Sequence, residues 1–199
     1  MSNAMPPLPN DIDPRALSDE LRPCLIDQSK YLNPERSDLL QQVVGVGGDV
    51  RGYMYGGLTT AVGIRAALQS SGHQLSDFSR ILDFGCGAGR VIRWFTDLAD
   101  KTELVGVDIN ADAIDWCKKN IPFATFLEGP ALPPLPFPDN HFDLIYGISV
   151  FTHLDRNYEA AWLKELRRVI DPNGVLLLSF HGADKAGRSL PDAECRIFE

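Results

Sequence analysis

Arg80-Ile-Leu-Asp-Phe-Gly-Cys-Gly-Ala-Gly-Arg90 decides how the chain reads. Ile81 and Leu82 open a short apolar strand that closes on Asp83. Gly85, Gly87 and Gly89 follow as a G-x-G-x-G turn, and Arg90 to Leu98 reads as a helix. Strand, glycine turn and helix in that order begin a nucleotide-binding βαβ unit. Glycine lets the backbone bend sharply and lets a ligand come close, because no Cβ stands in the way. A helix start beyond the turn offers unpaired N–H groups and the positive end of a dipole to an anionic group.

Downstream, Leu104-Val-Gly-Val107 is a second apolar strand ending in Asp108, 23 residues beyond Gly85. That spacing suits a strand-end acid gripping a ribose. Leu82 to Gly89 and Val105 to Asp108 resemble the first and second motifs of the class I S-adenosylmethionine-dependent methyltransferases. Phe142-Asp-Leu-Ile-Tyr146 resembles their fourth, and Val150-Phe-Thr-His-Leu154 the segment after it. Leu166-Arg-Arg-Val-Ile-Asp-Pro-Asn-Gly174, leading into Val175-Leu-Leu-Leu178, is a last match. The resemblance runs from Ile81 to about Phe180. It implies a Rossmann-like fold, S-adenosylmethionine as cofactor and a small-molecule methyl acceptor.

The resemblance also implies roles for particular residues. Asp108 would accept hydrogen bonds from both ribose hydroxyls, and Ile109 would press on the adenine face. Phe84 and Cys86 lie in the same motif as Gly85, Gly87 and Gly89, which would pass the methionine part of the cofactor close to the backbone. Asp83 would face its amino group, directly or through water; a turn-capping acid is the plainer reading. Many members carry an acid after the third strand that contacts adenine. Pro130 stands there, so the contact falls to Glu128 or to the backbone at Gly129 and Ala131. Tyr146, Gly147 and Ile148 would flank the sulfonium. His153 is the best catalytic-base candidate because histidine titrates near neutrality; a packing or helix-capping histidine is the competing reading. His181 is a second candidate, while His73 and His141 lie in expected surface turns. The fourth motif lacks an Asn-Pro-Pro-Tyr pattern, which sets the chain apart from the nucleic-acid amino methyltransferases.

Composition narrows the field further. The 199 residues carry a formal charge of −8, a poor balance for binding nucleic acid. A hydrophobic content of 44% is enough for a packed core. No apolar run is long enough to span a membrane, and the start lacks the pattern of a signal peptide. Met1-Ser-Asn-Ala4 ahead of Met5 reads as an expression scar. Cys24, Cys86, Cys117 and Cys195 form no C-x-x-C pair. We therefore expect reduced thiols and a cytoplasmic setting. Cys86 reads as a small residue that fits the turn, with a reactive thiol as the alternative.

The expected organisation is an N-terminal helical extension or lid over 5–57 and a cofactor-binding domain over 58–199, with its core at 80–180. A short turn over Ser18 to Arg22 and a helix from Ser37 are expected in the extension. Arg51 to Gly57 reads as a mobile loop, and Leu58 to Gln69 as a helix with Leu58, Ala61, Val62, Ile64 and Leu68 mostly on one side. Asn110 caps the next helix, and Asn157 to Ile170 is a third. Strands are expected at Ala124 to Leu127, Phe142 to Tyr146 and Val175 to Phe180. The result is a doubly wound, mainly parallel α/β sheet of five evident strands. Only 19 residues follow Phe180, too few for the crossover and C-terminal hairpin that usually complete this family's sheet. The expectation is therefore an apolar fifth strand at or near an edge, open to self-association.

Two rival readings stand beside the methyltransferase. A nicotinamide-dependent oxidoreductase shares the βαβ logic and the ribose acid, but it calls for G-x-G-x-x-G and leaves the fourth-strand match unaccounted for. A non-catalytic module that binds S-adenosylmethionine needs no base.

Overall fold

The computed structural model describes residues 50–180 and 194–198. The expected scar, the expected elements around Ser18–Arg22 and Ser37, and His181 lie outside the described residues. Helix α1 spans Val50–Ser70. Strand β1 is Arg80–Phe84, β2 Glu103–Asp108, β3 Thr125–Glu128 and β4 Phe142–Gly147. Helices α2, Ala111–Asn120, and α3, Arg156–Val169, precede β3 and β5 respectively. Strand β5 runs Ile170–Phe180 and β6 Glu194–Phe198. The sheet order is β3-β2-β1-β4-β5-β6. The first five strands are parallel, and β6 is antiparallel to β5.

Consecutive apolar residues in each strand serve opposite faces. Ile81, Leu104, Leu144 and Leu177 pack into one core with Leu58, Ile64, Trp94 and Ile114. Leu82, Val105, Ile145 and Leu178 pack into the other with Trp162 and Leu166. A sheet covered on both sides needs this pattern, which is why the strands read as unbroken apolar runs.

Helix ends follow their sequence signals. Asn110 accepts from the Ala113 N–H at 3.1 Å, with Lys118 and Lys119 in the last turn of α2. Asp155 accepts from the Asn157 and Tyr158 N–H groups and starts α3. Asp143, in the fourth motif, has a structural task. Its carboxylate accepts from the backbone N–H groups of Ser79 and Arg80, both at 2.8 Å, and so ties β4 to the entry of β1. Asp171 to Gly174 turn within β5. The pairing passes from Phe142–Ile170 to Leu144–Val175 across that bulge.

Three expectations are corrected. Arg51 to Gly57 is the first part of α1, not a loop. Gly57 serves close packing there: a Cβ would overlap the Arg90 carbonyl oxygen and stand 2.9 Å from Trp94 Nε1. The segment after the glycine turn is a 3₁₀ stretch, Ile92–Leu98, broken at Phe95, instead of an α-helix. Ile92, Arg93, Trp94, Phe95 and Leu98 are all buried, so only Thr96 and Asp97 are left toward solvent, and the segment's β-branched and aromatic residues are weak helix formers. No α-helix dipole therefore points at the glycine turn from this segment. Finally, β5 lies near the edge, as expected, but is not the edge itself. Strand β6 pairs with it from Leu176–Phe198 to Phe180–Glu194, which withdraws the basis for self-association through that strand. A hairpin partner needs only a short return, so the 19 residues after Phe180 suffice for one further strand.

Candidate functional site

The strand order turns back on itself at β1, which has β2 on one side and β4 on the other. A parallel sheet opens a crevice at such a point, beyond the C-terminal strand ends. Asp83, Asp108, Glu128 and Tyr146 all lie at those ends, with Asp83 opposite Tyr146 and Asp108 opposite Glu128.

The glycine turn is bound tightly to β2. Gly85 and Cys86 donate their N–H groups to the Val107 carbonyl at 2.8 and 3.1 Å. Gly85, Gly87 and Gly89 take positive φ of 77°, 52° and 69°. The three differ in what surrounds them. A Cβ on Gly85 would overlap Val150 Cγ2, and one on Gly89 would overlap Ile121 Cδ1, whereas one on Gly87 meets nothing within 4 Å. Gly87 is thus the position open to a ligand, and Gly85 packs under the loop that follows β4.

Asp108 holds the turn and keeps acceptor capacity. Its Oδ2 accepts from the Gly87 N–H at 2.7 Å and its Oδ1 from the Asn110 N–H at 2.9 Å. A carboxylate offers about four lone-pair sites, so roughly two remain. Ile109, next to it, is 67% exposed although large and apolar. Glu128 is exposed, and the Gly129 N–H donates to the Asp108 carbonyl at 2.8 Å, which fixes both beside the acid.

Asp83 is only 3% exposed. Its Oδ2 and the hydroxyl of Tyr146 are buried with no hydrogen-bond partner. Burial pushes the carboxyl up to about 7, against the pull of the nearby Tyr146 hydroxyl and the Arg90 guanidinium. The two oxygens therefore feel each other without reaching bonding geometry. Burial and the same carboxyl hold the Tyr146 phenol well above its usual range. Burial also keeps the Cys86 thiol far above its usual range, which supports a small packing residue and not a reactive one. Cys86 and Cys117 are free thiols.

Gly147 ends β4, where a Cβ would stand 3.0 Å from Leu178 Cδ2. Phe84 packs on the far face of the sheet, its ring 4.8 Å from that of Trp162, so only its backbone serves the turn. Ile148 is partly buried against the α1-side core. His153 is exposed on the loop after β4, its N–H held by the Val150 carbonyl at 3.0 Å. Sequence reasoning missed a layer behind the turn made by Tyr53, Arg93 and Cys117. A basic residue inside the apolar run Val91 to Phe95 was the available signal.

Residues 82–178 match a family described as the methyltransferase domain. Among curated proteins, a fatty-acid O-methyltransferase of Mycolicibacterium smegmatis is 33% identical over 100 residues, 49% of this chain and 35% of that protein. A ubiquinone/menaquinone biosynthesis C-methyltransferase UbiE of Pseudomonas aeruginosa is 34% identical over 110 residues, 50% of this chain and 41% of that one. The chain thus spans well under two thirds of the length of either. The crystal structure of the PH0226 protein of Pyrococcus horikoshii OT3 superposes with a TM-score of 0.56 at 24% identity, covering 71% of this chain and 65% of that one, a likeness of fold. Residues 82–178 are a class I S-adenosylmethionine-dependent methyltransferase domain. The site fits that cofactor on its own terms: an orphaned buried carboxylate oxygen in Asp83, open space at Gly87, and a bare apolar side chain beside a ribose-type acid at Asp108. No group of three side chains suited to a metal ion occurs among the described residues. No helix among them is long and apolar enough to cross a membrane.

Proposed function

We propose that the protein transfers a methyl group from S-adenosylmethionine to a small-molecule acceptor in the cytoplasm, without a nucleic-acid or membrane partner. The observation that carries this is the pair of strand-end acids flanking an open glycine: Asp83 buried with one carboxylate oxygen unpartnered, Asp108 half-buried with acceptor sites to spare. Each finds a natural partner in the cofactor, the one in an ammonium and the other in a ribose diol. Both matched relatives are named for small-molecule methylation, of fatty acid in one case and in quinone biosynthesis in the other. The charge of −8 and the buried free thiols support a cytosolic setting without nucleic acid.

In this reading Asp108 and Ile109 hold the adenosine, with Glu128 and Gly129 at the adenine edge. Gly87, between Gly85 and Gly89, lets the methionine chain lie on the backbone, and Asp83 receives its amino group. Tyr146, Gly147 and Ile148 wall the sulfonium end. When bound, the cofactor supplies an electrophilic methyl on a good leaving group. The protein's work is then orientation and exclusion of water. His153, on the exposed loop beyond β4, takes the proton of an acceptor that carries one.

Incubating the purified chain with labelled S-adenosylmethionine and a pool of small acids, phenols and quinols tests this. The expected result is S-adenosylhomocysteine together with a methylated product. Binding without turnover across the pool would favour a cofactor-holding module. Binding of a nicotinamide dinucleotide in place of S-adenosylmethionine would favour the oxidoreductase.

A further inference from the structure

We infer that Arg93 is a positioning residue for the cofactor cradle, holding the glycine turn in its ligand-ready shape and tying that shape to the docking of α1. This rests on the reading that the turn cradles S-adenosylmethionine.

Arg93 is fully buried. Its Nε–H donates to the Gly89 carbonyl and an Nη2–H to the Ala88 carbonyl, both at 2.9 Å. Its guanidinium carbon sits 5.4 Å from the ring centre of Tyr53 and 5.3 Å from that of Trp116. Nη1 lies 3.6 Å from Met54 Sδ. One side chain therefore joins α1, the turn and α2.

The neighbouring contacts share this direction. The Tyr53 hydroxyl donates to the same Ala88 carbonyl at 3.0 Å. The Cys86 and Cys117 thiols both reach the Gly87 carbonyl at 3.5 Å. Every carbonyl from Gly87 to Gly89 is thus held from the body of the protein, while the Cβ direction of Gly87 is open. In a planar trans peptide the carbonyl and the following N–H point opposite ways. Fixing three carbonyls therefore fixes the N–H directions of Ala88, Gly89 and Arg90. An apolar residue would fill this site without the desolvation that a guanidinium suffers. A lysine could not fork onto two carbonyls and stack between two rings at once.

The test is calorimetric titration of the full chain with S-adenosylhomocysteine, well below the unfolding temperature of each variant. Arg93→Met should bind at least about tenfold more weakly, the scale of hydrogen bonds to a charged group. Arg93→Lys should fall between it and the parent, and Tyr53→Phe should weaken binding by about threefold, the scale of one neutral hydrogen bond. Leu68→Ala, which opens the same core on α1 away from the turn, should lower the unfolding temperature and leave the affinity unchanged. Amide exchange at Ala88 to Arg90 in ligand-free protein should quicken in Arg93→Met beyond the change in Leu68→Ala. A folded Arg93→Met with parental affinity overturns the role. If Arg93→Met does not fold, parental affinity in Tyr53→Phe overturns it. A parent chain that does not bind S-adenosylhomocysteine overturns the cofactor reading and this inference with it, a result distinct from a parent that binds and an Arg93 variant that binds equally well.

Discussion

Gly85 and Gly87 stand two residues apart in one turn and do different work. Both have positive φ, yet a side chain on Gly85 runs into Val150, and a side chain on Gly87 runs into open space. Gly85→Ala should therefore cost about 2 kcal/mol of stability or more, from strain and overlap together. Gly87→Leu should cost only about 1–2 kcal/mol, the left-handed penalty, and should abolish binding of S-adenosylhomocysteine. Urea unfolding and a ligand titration on the pair check this; a Gly87→Leu protein that binds normally would remove the turn from the site. Asp83 gives a second residue-scale prediction. Its carboxyl titrates near 7 when folded, against an ordinary value of 3.8. Below about pH 4 both states hold the proton, so the group is neutral to stability. Between the two values the unfolded chain releases it and the folded protein keeps it, so stability falls as pH rises and the loss is complete above about 7. The size is on the order of a few kcal/mol. Asp83→Asn should flatten this slope in urea midpoints measured from acid to neutral pH; an unchanged slope would mean that another group causes it. The acid, its position and the three glycines were all legible in the sequence. Which glycine faces the ligand was not, because Val150 reaches Gly85 only through the fold.

Helix α1 shows the same division for an element. Its apolar periodicity from Leu58 to Leu68 was legible, and Leu58, Ala61, Ile64 and Leu68 are buried as that pattern requires. Its first turns were not, since glycines at 52, 56 and 57 read as flexibility. Gly57 is there for contact with the Arg90 carbonyl and Trp94, which the linear sequence does not place beside it. Gly63, in contrast, is exposed and has nothing within 4 Å of its Cβ direction. Gly57→Ala should destabilise by about 1–3 kcal/mol through overpacking, despite a better helix propensity. Gly63→Ala should stabilise by about 0.5–1 kcal/mol through propensity alone. Thermal unfolding of the two variants decides it, and equal signs would mean that α1 does not pack on the turn as described. The 3₁₀ stretch after the glycines has a related cause. A segment buried at five of its seven residues has little amphipathic period, so counting apolar spacings could not fix its helix type.

For the whole molecule, the motif order placed the five parallel strands and the crevice between β1 and β4, because each strand's consecutive apolar residues announce two covered faces. The sixth strand escaped notice because Glu194 to Phe198 is only five residues long and follows a stretch that carries Gly182, Gly187 and Pro191. The strand order puts Asp83, Gly87, Asp108 and Tyr146 at one crevice, and the central claim is that this crevice binds S-adenosylmethionine with Asp108 on the ribose. Because the carboxylate also accepts from the Gly87 and Asn110 N–H groups, Asp108→Ala would loosen the turn as well as remove the ribose contact. Asp108→Asn keeps the size and one acceptor oxygen, which can still accept from the Gly87 N–H while the Asn110 contact is lost, so it disturbs the turn less than Ala does. The direct measurement is a calorimetric titration of the parent and Asp108→Asn with S-adenosylmethionine. The account predicts one site per chain in the parent and a loss of about 1.5–3 kcal/mol of binding free energy in the variant, the scale of hydrogen bonds to a charged group. Equal affinity in the two proteins, or no binding in the parent, would contradict it.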